Sequence, residues 1–164
     1  MLNLRELNAL DQAAFTRVIG PVFEHSPWIA ETTWERRPFA SREQLHNALC
    51  RTVEAADAQA KLDLIRAHPD LAGRVELTEA SSKEQASANI TRLSPDEMAS
   101  FQKYNQQYRE KFGFPFVICA RLNKKEAILA AFPERLQNSA ETERETALQE
   151  IFKIAELRLN DLVE

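Results

Sequence analysis

Apolar residues along this chain recur mostly at intervals of three and four, the spacing of one helix face, and most such runs open on a capping residue. Asp11 can cap a first helix carrying Phe15, Val18 and Ile19, closed by Gly20-Pro21. Ser26 followed by Pro27 predicts a second helix running to about Arg37, stopped by Pro38 and anchored by Trp28 and Trp34. Ser41 with Gln44 is a capping-box pattern, and Leu45, Ala48, Leu49, Val53 and Ala56 follow at helical spacing. Asp57 starts a further helix, with Leu62, Leu64 and Ile65 as its apolar part, ending near His68-Pro69. After Gly73 comes a short polar passage, and then Ser81 with Glu84 reads as a capping box opening a helix through Ile90.

Ser94-Pro95 with Glu97 repeats the start signal. Met98, Phe101, Tyr108 and Phe112 then mark a long amphipathic helix ended by Gly113. Phe114 to Arg121, FPFVICAR, is the one run with strand character, but a single strand has no partner. It is expected to enter, extended, a buried helical segment through Ile128, Leu129 and Phe132, with Pro133 as a kink or break. Leu148, Ile151, Phe152, Ala155, Leu159 and Leu162 give a C-terminal helix its apolar stripe. The sum is an all-α single domain of about eight helices, whose short, differently capped elements are unlike a simple up-down bundle.

Composition sharpens this picture. The chain has 164 residues, 44% hydrophobic and 28% charged, enough for one domain with a real core. Three glycines leave few positions for the left-handed turns of hairpins. A net charge of −4 without a basic cluster points away from nucleic acid and from membrane surfaces, and leaves small molecules or another protein as partners. No apolar run approaches the ~20 residues of a membrane helix, and the N-terminal residues lack a signal-peptide core. Cys50 and Cys119 form neither a disulfide framework nor a metal pair. A soluble protein of a reducing cytoplasm is expected.

Candidate chemistry begins at His68, an imidazole at or just past a helix end, firmly held but not enclosed. Such a group suits proton transfer near neutral pH, and its position equally suits a histidine capping a helix C-terminus. His46 reads as a packing or surface residue, and His25 as lining a cleft or meeting a helix end. No histidine pair has metal-ligand spacing, so no metal site is expected. Glu84 has a sufficient structural role as the third residue of a capping box. Yet Glu84-Gln85 would also place an acid and an amide in a first turn whose free N–H groups suit an anionic or ureido-like ligand. Arg121 and Arg158 read first as surface charges. No serine elbow, phosphate loop, dinucleotide fingerprint or partnered cysteine is present, so covalent catalysis has no support.

Five stretches taken in order add more: VFEHSPW at 22–28, RPF at 37–39, AHPDLAG at 67–73, SSKEQASA at 81–88 and KFGFPFVICAR at 111–121. With the closing KIAELRL they resemble the OHCU decarboxylase family, which acts on 2-oxo-4-hydroxy-4-carboxy-5-ureidoimidazoline, over nearly the whole chain. The resemblance implies an all-helical homodimer and a cofactor-free decarboxylation to (S)-allantoin in urate degradation. It implies His68 as the catalytic histidine, Pro69 as its neighbour in the pocket, and Glu84 as the second catalytic group. It implies substrate contacts from Ser81, Ser82, Lys83 and Gln85, from the backbone of Phe116, Val117, Ile118, Cys119 and Ala120, and from Arg158. Asn89 stands where related sequences often have glycine, and asparagine tolerates left-handed backbone. Two other readings stay open: a same-fold enzyme for a related ureido or carboxy-imidazoline compound, and a helical interaction module in which these motifs only cap and pack.

Overall fold

The structure, a computed structural model, describes residues 1–73 and 76–164. Residues 74 and 75, where the predicted polar passage begins, lie outside the described residues. Among the described residues there are nine α-helices and three short 3-10 turns, and the one β-bridge, Leu2 with Val163, stands alone. The all-α expectation holds. No described helix is long and apolar enough to cross a membrane. The chain divides into two compact units, residues 1–67 with 152–164, and residues 68–151.

The first unit starts with a helix the sequence pattern missed, α1 (Leu4–Ala9), in which Asn3 and Glu6 form a capping box. Next come α2 (Gln12–Ile19) and α3 (Trp28–Thr33), each followed by a 3-10 turn, then α4 (Arg42–Glu54) and α5 (Ala58–Arg66). Asp11, Ser41 and Asp57 cap α2, α4 and α5 through their side chains, as predicted. Ser26 does not cap α3. Its hydroxyl bonds the Glu24 carbonyl, and the helix begins after Pro27. Leu7, Phe15, Ile19, Ile29, Leu45, Leu49 and Val53 form the core. The RPF stretch closes it: the Arg37 guanidinium lies 3.9 Å over the Trp34 ring, Phe39 stacks on Phe15, and Asn8 bonds both main-chain groups of Phe39.

The second unit opens at His68 and holds α6 (Glu79–Ser87), α7 (Pro95–Phe112) and α8 (Lys125–Leu136). The last helix, α9 (Ala140–Leu162), gives this unit its residues up to Ile151 and the first unit those from Phe152. α7 carries the predicted capping box of Ser94 and Glu97, and Gly113 ends it at φ 78°. Phe114 to Cys119 run without helix, then a 3-10 turn (Ala120–Leu122) leads to α8. Pro133 does not break α8, which continues to Leu136. It falls in the last turn, where one lost N–H bond is tolerable. Tyr108, Phe114, Phe116 and Phe132 form the aromatic core, Phe116 stacking on Phe132 with ring centres 3.9 Å apart.

The predicted start of α6 needs correction. Thr78, not Ser81, is the N-cap and accepts from the Ser81 N–H, so the helix begins one turn earlier. The earlier start gains a Glu79–Lys83 pair at 2.9 Å in the favoured Glu-to-Lys order. The far end falls short of Ile90. Asn89 adopts φ 64°, its N–H bonds the Ala86 carbonyl, and the Ile90 N–H bonds the Gln85 carbonyl at 3.1 Å. These are the two bonds of a Schellman motif, with asparagine in glycine's usual place.

Candidate functional site

His68 directly follows Ala67, the C-cap of α5, as its spacing to Pro69 predicts. It is buried at 7% exposure, against the expectation of an unenclosed imidazole. The turn after it is tied down residue by residue within the second unit. The two carboxylate oxygens of Asp70 accept from Arg109 Nε, at 2.8 and 3.1 Å. The Leu71 carbonyl accepts from Asn105 Nδ2 at 2.8 Å. Ala72, at φ 58°, donates its N–H to Gln85 Oε1 at 3.1 Å. Asn105 and Arg109 lie one turn apart on one face of α7. Neither was singled out in the sequence, where that i, i+4 spacing of an amide and a cation beside buried aromatics was the available signal.

The revised start of α6 changes the meaning of Glu84. With Thr78 as cap, Glu84 lies in the second turn, beyond reach of the cap backbone, so the capping-box explanation no longer applies. Ser81, Glu84 and Gln85 share the buried face of α6, as i, i+3, i+4 spacing requires, with Glu84 at 9% exposure. Ser82 and Lys83 fall on the exposed side, Lys83 paired with Glu79. Gln85 meets the turn after His68, and α6 packs against the 3-10 turn that ends the FPFVICAR run. The HPDLAG turn, the EQ helix and the FPFVICAR segment are therefore brought together through α6.

In that segment Phe116, Val117, Cys119 and Ala120 are buried and Ile118 is half-buried. Arg135 Nη1 donates to the Val117 carbonyl at 2.6 Å, and the Cys119 N–H donates to Glu150 Oε1 at 3.2 Å. Burial, followed by the carboxylates of Glu150 and Glu84, holds the Cys119 thiol above its usual range, which removes it as a thiolate nucleophile. It also places Glu84 within electrostatic range of Cys119. Pro69 is half-buried beside His68.

Arg158 belongs to the first unit. Its Nη1 donates to Glu24 Oε2 at 2.9 Å and to the Pro21 carbonyl at 3.2 Å, so it is a buried, paired cation rather than a surface charge. Its assignment to substrate rests on the resemblance. The first unit also holds a Cys–His contact, Cys50 Sγ lying 3.5 Å from His46 Nε2. It is not an activated dyad. His46 Nε2 is bonded to the Phe152 carbonyl at 2.8 Å, and burial with Glu54 and Glu156 pushes the Cys50 thiol up to about 12. His25 is exposed at φ 47°. Among the described residues no group of three or more His, Cys, Asp or Glu side chains is placed to hold a metal ion.

Fold and site define an all-helical protein with a buried histidine and a buried carboxylate held near an extended segment, and no activated thiol among the described residues. Residues 8–160 match the family model described as OHCU decarboxylase. A 2-oxo-4-hydroxy-4-carboxy-5-ureidoimidazoline decarboxylase of Haloferax volcanii is 47% identical over 158 residues, covering 96% of this chain and 94% of that protein. The protein of that name from Mus musculus is 39% identical over 166 residues, covering 99% and 93%. The chain belongs to the OHCU decarboxylase family. A crystal structure of (S)-allantoin synthase aligns with TM-score 0.82 and 28% identity over 99% of this chain, which spans 54% of that one. A second, of OHCU decarboxylase in the presence of (S)-allantoin, shares the fold, with TM-score 0.72 and 23% identity over 93% of this chain and 98% of that chain.

Proposed function

We infer that the protein is a carboxy-lyase that decarboxylates 2-oxo-4-hydroxy-4-carboxy-5-ureidoimidazoline to (S)-allantoin. The observation that carries the reading is the placement of Glu84 and Gln85 on the buried face of α6, with Gln85 bonded to the turn that follows His68. Family membership supplies the substrate. When the carbon–carbon bond to the carboxylate breaks, its electron pair enters the adjacent C=N of the ring, so the substrate is its own electron sink. CO2 leaves and a proton is added to one face of the ring. The protein has to turn the carboxylate out of the ring plane, hold the neighbouring hydroxyl, and manage that proton.

His68 is assigned to the hydroxyl or carboxylate and to the proton. Glu84 and Gln85 are assigned to the hydroxyl and ureido groups, with Pro69, Ser81 and the Phe116–Ala120 backbone completing the contacts. Gln85 Oε1 already accepts from Ala72, which leaves the amide nitrogen as the group to meet substrate. The enzyme is read as a cytoplasmic homodimer, in keeping with two free thiols and with the family resemblance. Light scattering on the purified chain tests the dimer.

The test of function uses freshly generated substrate, made from urate by urate oxidase and hydroxyisourate hydrolase, with circular dichroism following optically active allantoin. Wild type accelerates its appearance over spontaneous decay. His68→Asn keeps the fold and loses about 10²–10⁴ of the rate, the usual contribution of positioned proton transfer. Near-normal turnover in that variant would remove His68 from the chemistry.

A further inference from the structure

The run from Phe114 to Cys119 has no strand beside it among the described residues, so its main-chain groups need other partners. Two buried side chains supply them, Arg135 at the Val117 carbonyl and Glu150 at the Cys119 N–H. In extended chain, successive residues turn their N–H and C=O to opposite edges. Ile118 lies between these two supported residues.

Arg135 is itself over-determined. It is 9% exposed, and its Nε donates to Glu143 Oε1 at 2.7 Å. Tyr108 donates its hydroxyl to the same oxygen at 2.6 Å, and Asn138 Nδ2 donates to Glu143 Oε2 at 2.9 Å. The guanidinium also lies 4.2 Å over the ring of Phe116. Burial and the bond to Glu143 raise the Tyr108 pKa well above the ordinary phenol range, so it stays a donor. Glu143 is completely buried. Filling this volume does not call for charge, because an apolar set of the same size avoids the desolvation cost of a buried pair. What the charged set adds is geometry: a planar fork grips a carboxylate on one side and a carbonyl on another while its face covers a ring.

We propose that Arg135, braced by Glu143, is a positioning residue that sets the Phe116–Ala120 backbone against the substrate and so governs substrate affinity. The proposal rests on the decarboxylase reading and names a group outside the residues assigned to substrate. Its test is Arg135→Lys, which keeps the charge and loses the fork. The variant retains a cooperative thermal transition, its KM rises about tenfold and its kcat stays within about threefold of wild type. That split is expected because the lost contact serves substrate and transition state alike.

A folded variant with wild-type KM overturns the proposal. So does a lower apparent kcat at unchanged KM, the mark of a smaller folded fraction. Should Arg135→Lys lack a cooperative transition, Tyr108→Phe takes its place, removing the hydroxyl's bond to Glu143 and the one it accepts from Arg135 Nη2 at 3.4 Å while leaving the guanidinium and the ring; raised KM supports the proposal and wild-type KM overturns it. Failure of the decarboxylase reading shows separately, as a wild type that does not accelerate decarboxylation, and that result removes both.

Discussion

Replacing Asn105 by leucine separates anchoring of the HPDLAG turn from stability. The native amide gives the Leu71 carbonyl a hydrogen bond at 2.8 Å, while its own Oδ1 is buried and has no partner among the described residues. The bond contributes about 0.5–1.5 kcal/mol net, and an unpaired buried acceptor costs about 1–3 kcal/mol. Leucine is close in size. It removes the bond and strands the Leu71 carbonyl, but it also removes the orphaned oxygen and adds apolar burial of about 0.8 kcal/mol per buried CH2. The losses and gains are of one size, so net stability should change by no more than about 1 kcal/mol, or about 2–4 °C in Tm for a chain of this length. Turnover should behave differently. Leu71 follows His68 by three residues, and a small misplacement of a catalytic group can cost on the order of 10²-fold, so kcat/KM should fall at least about tenfold. Far-UV circular dichroism melts and the allantoin assay measure the two effects. A loss of 3 kcal/mol or more, or unchanged turnover, would refute the reasoning.

Two further outcomes follow from other positions. The Cys50 pKa is raised from 9.0 to about 12 in the folded state, so the neutral thiol's contribution to stability is full below pH 9 and is lost as pH climbs from 9 toward 12. Denaturant melts of wild type and Cys50→Ala should diverge in slope over that window, the variant being flatter; parallel curves would contradict the assignment. At Asn89, held at φ 64°, glycine should be neutral or stabilising by about 0.5 kcal/mol and alanine destabilising by about 1 kcal/mol, read from thermal melts. The reverse order would mean that the Asn89 side chain, not its backbone, matters there.

Local signals carried most of the helices, because a cap is a contact between residues three apart and its spelling is in the sequence. Asp11, Ser41, Asp57 and Ser94 all cap through their side chains. Where two capping residues compete, spelling is ambiguous: Thr78 and Ser81 each precede an acid, and the choice fell to the start that adds a Glu79–Lys83 pair and buries Ser81. The six-residue α1 was equally spelled out by Asn3 and Glu6, but its apolar run is too short to show a period. At the site, His68, Glu84 and FPFVICAR stood out by composition or by resemblance. Arg109, Arg135, Glu143 and Glu150 did not, since a charge in a helix is ordinarily a solvated one and only long-range packing reveals that three of these are buried.

Two of those missed residues, Arg135 and Glu150, share one task with Gln85 and Asn105. Gln85 holds Ala72, Asn105 holds Leu71, Arg135 holds Val117 and Glu150 holds Cys119, four main-chain groups gripped by side chains from α6, α7, α8 and α9. An all-helical protein has no sheet to complete the hydrogen bonding of an irregular segment, and a buried amide or carbonyl left unpaired is costly. Buried polar side chains therefore do for the HPDLAG turn and the FPFVICAR run what neighbouring strands do elsewhere. A side chain fixes one main-chain group at one distance, whereas apolar packing tolerates slippage. Substitutions at these four positions should accordingly disturb the geometry around His68 and Glu84 by more than their effect on stability would suggest.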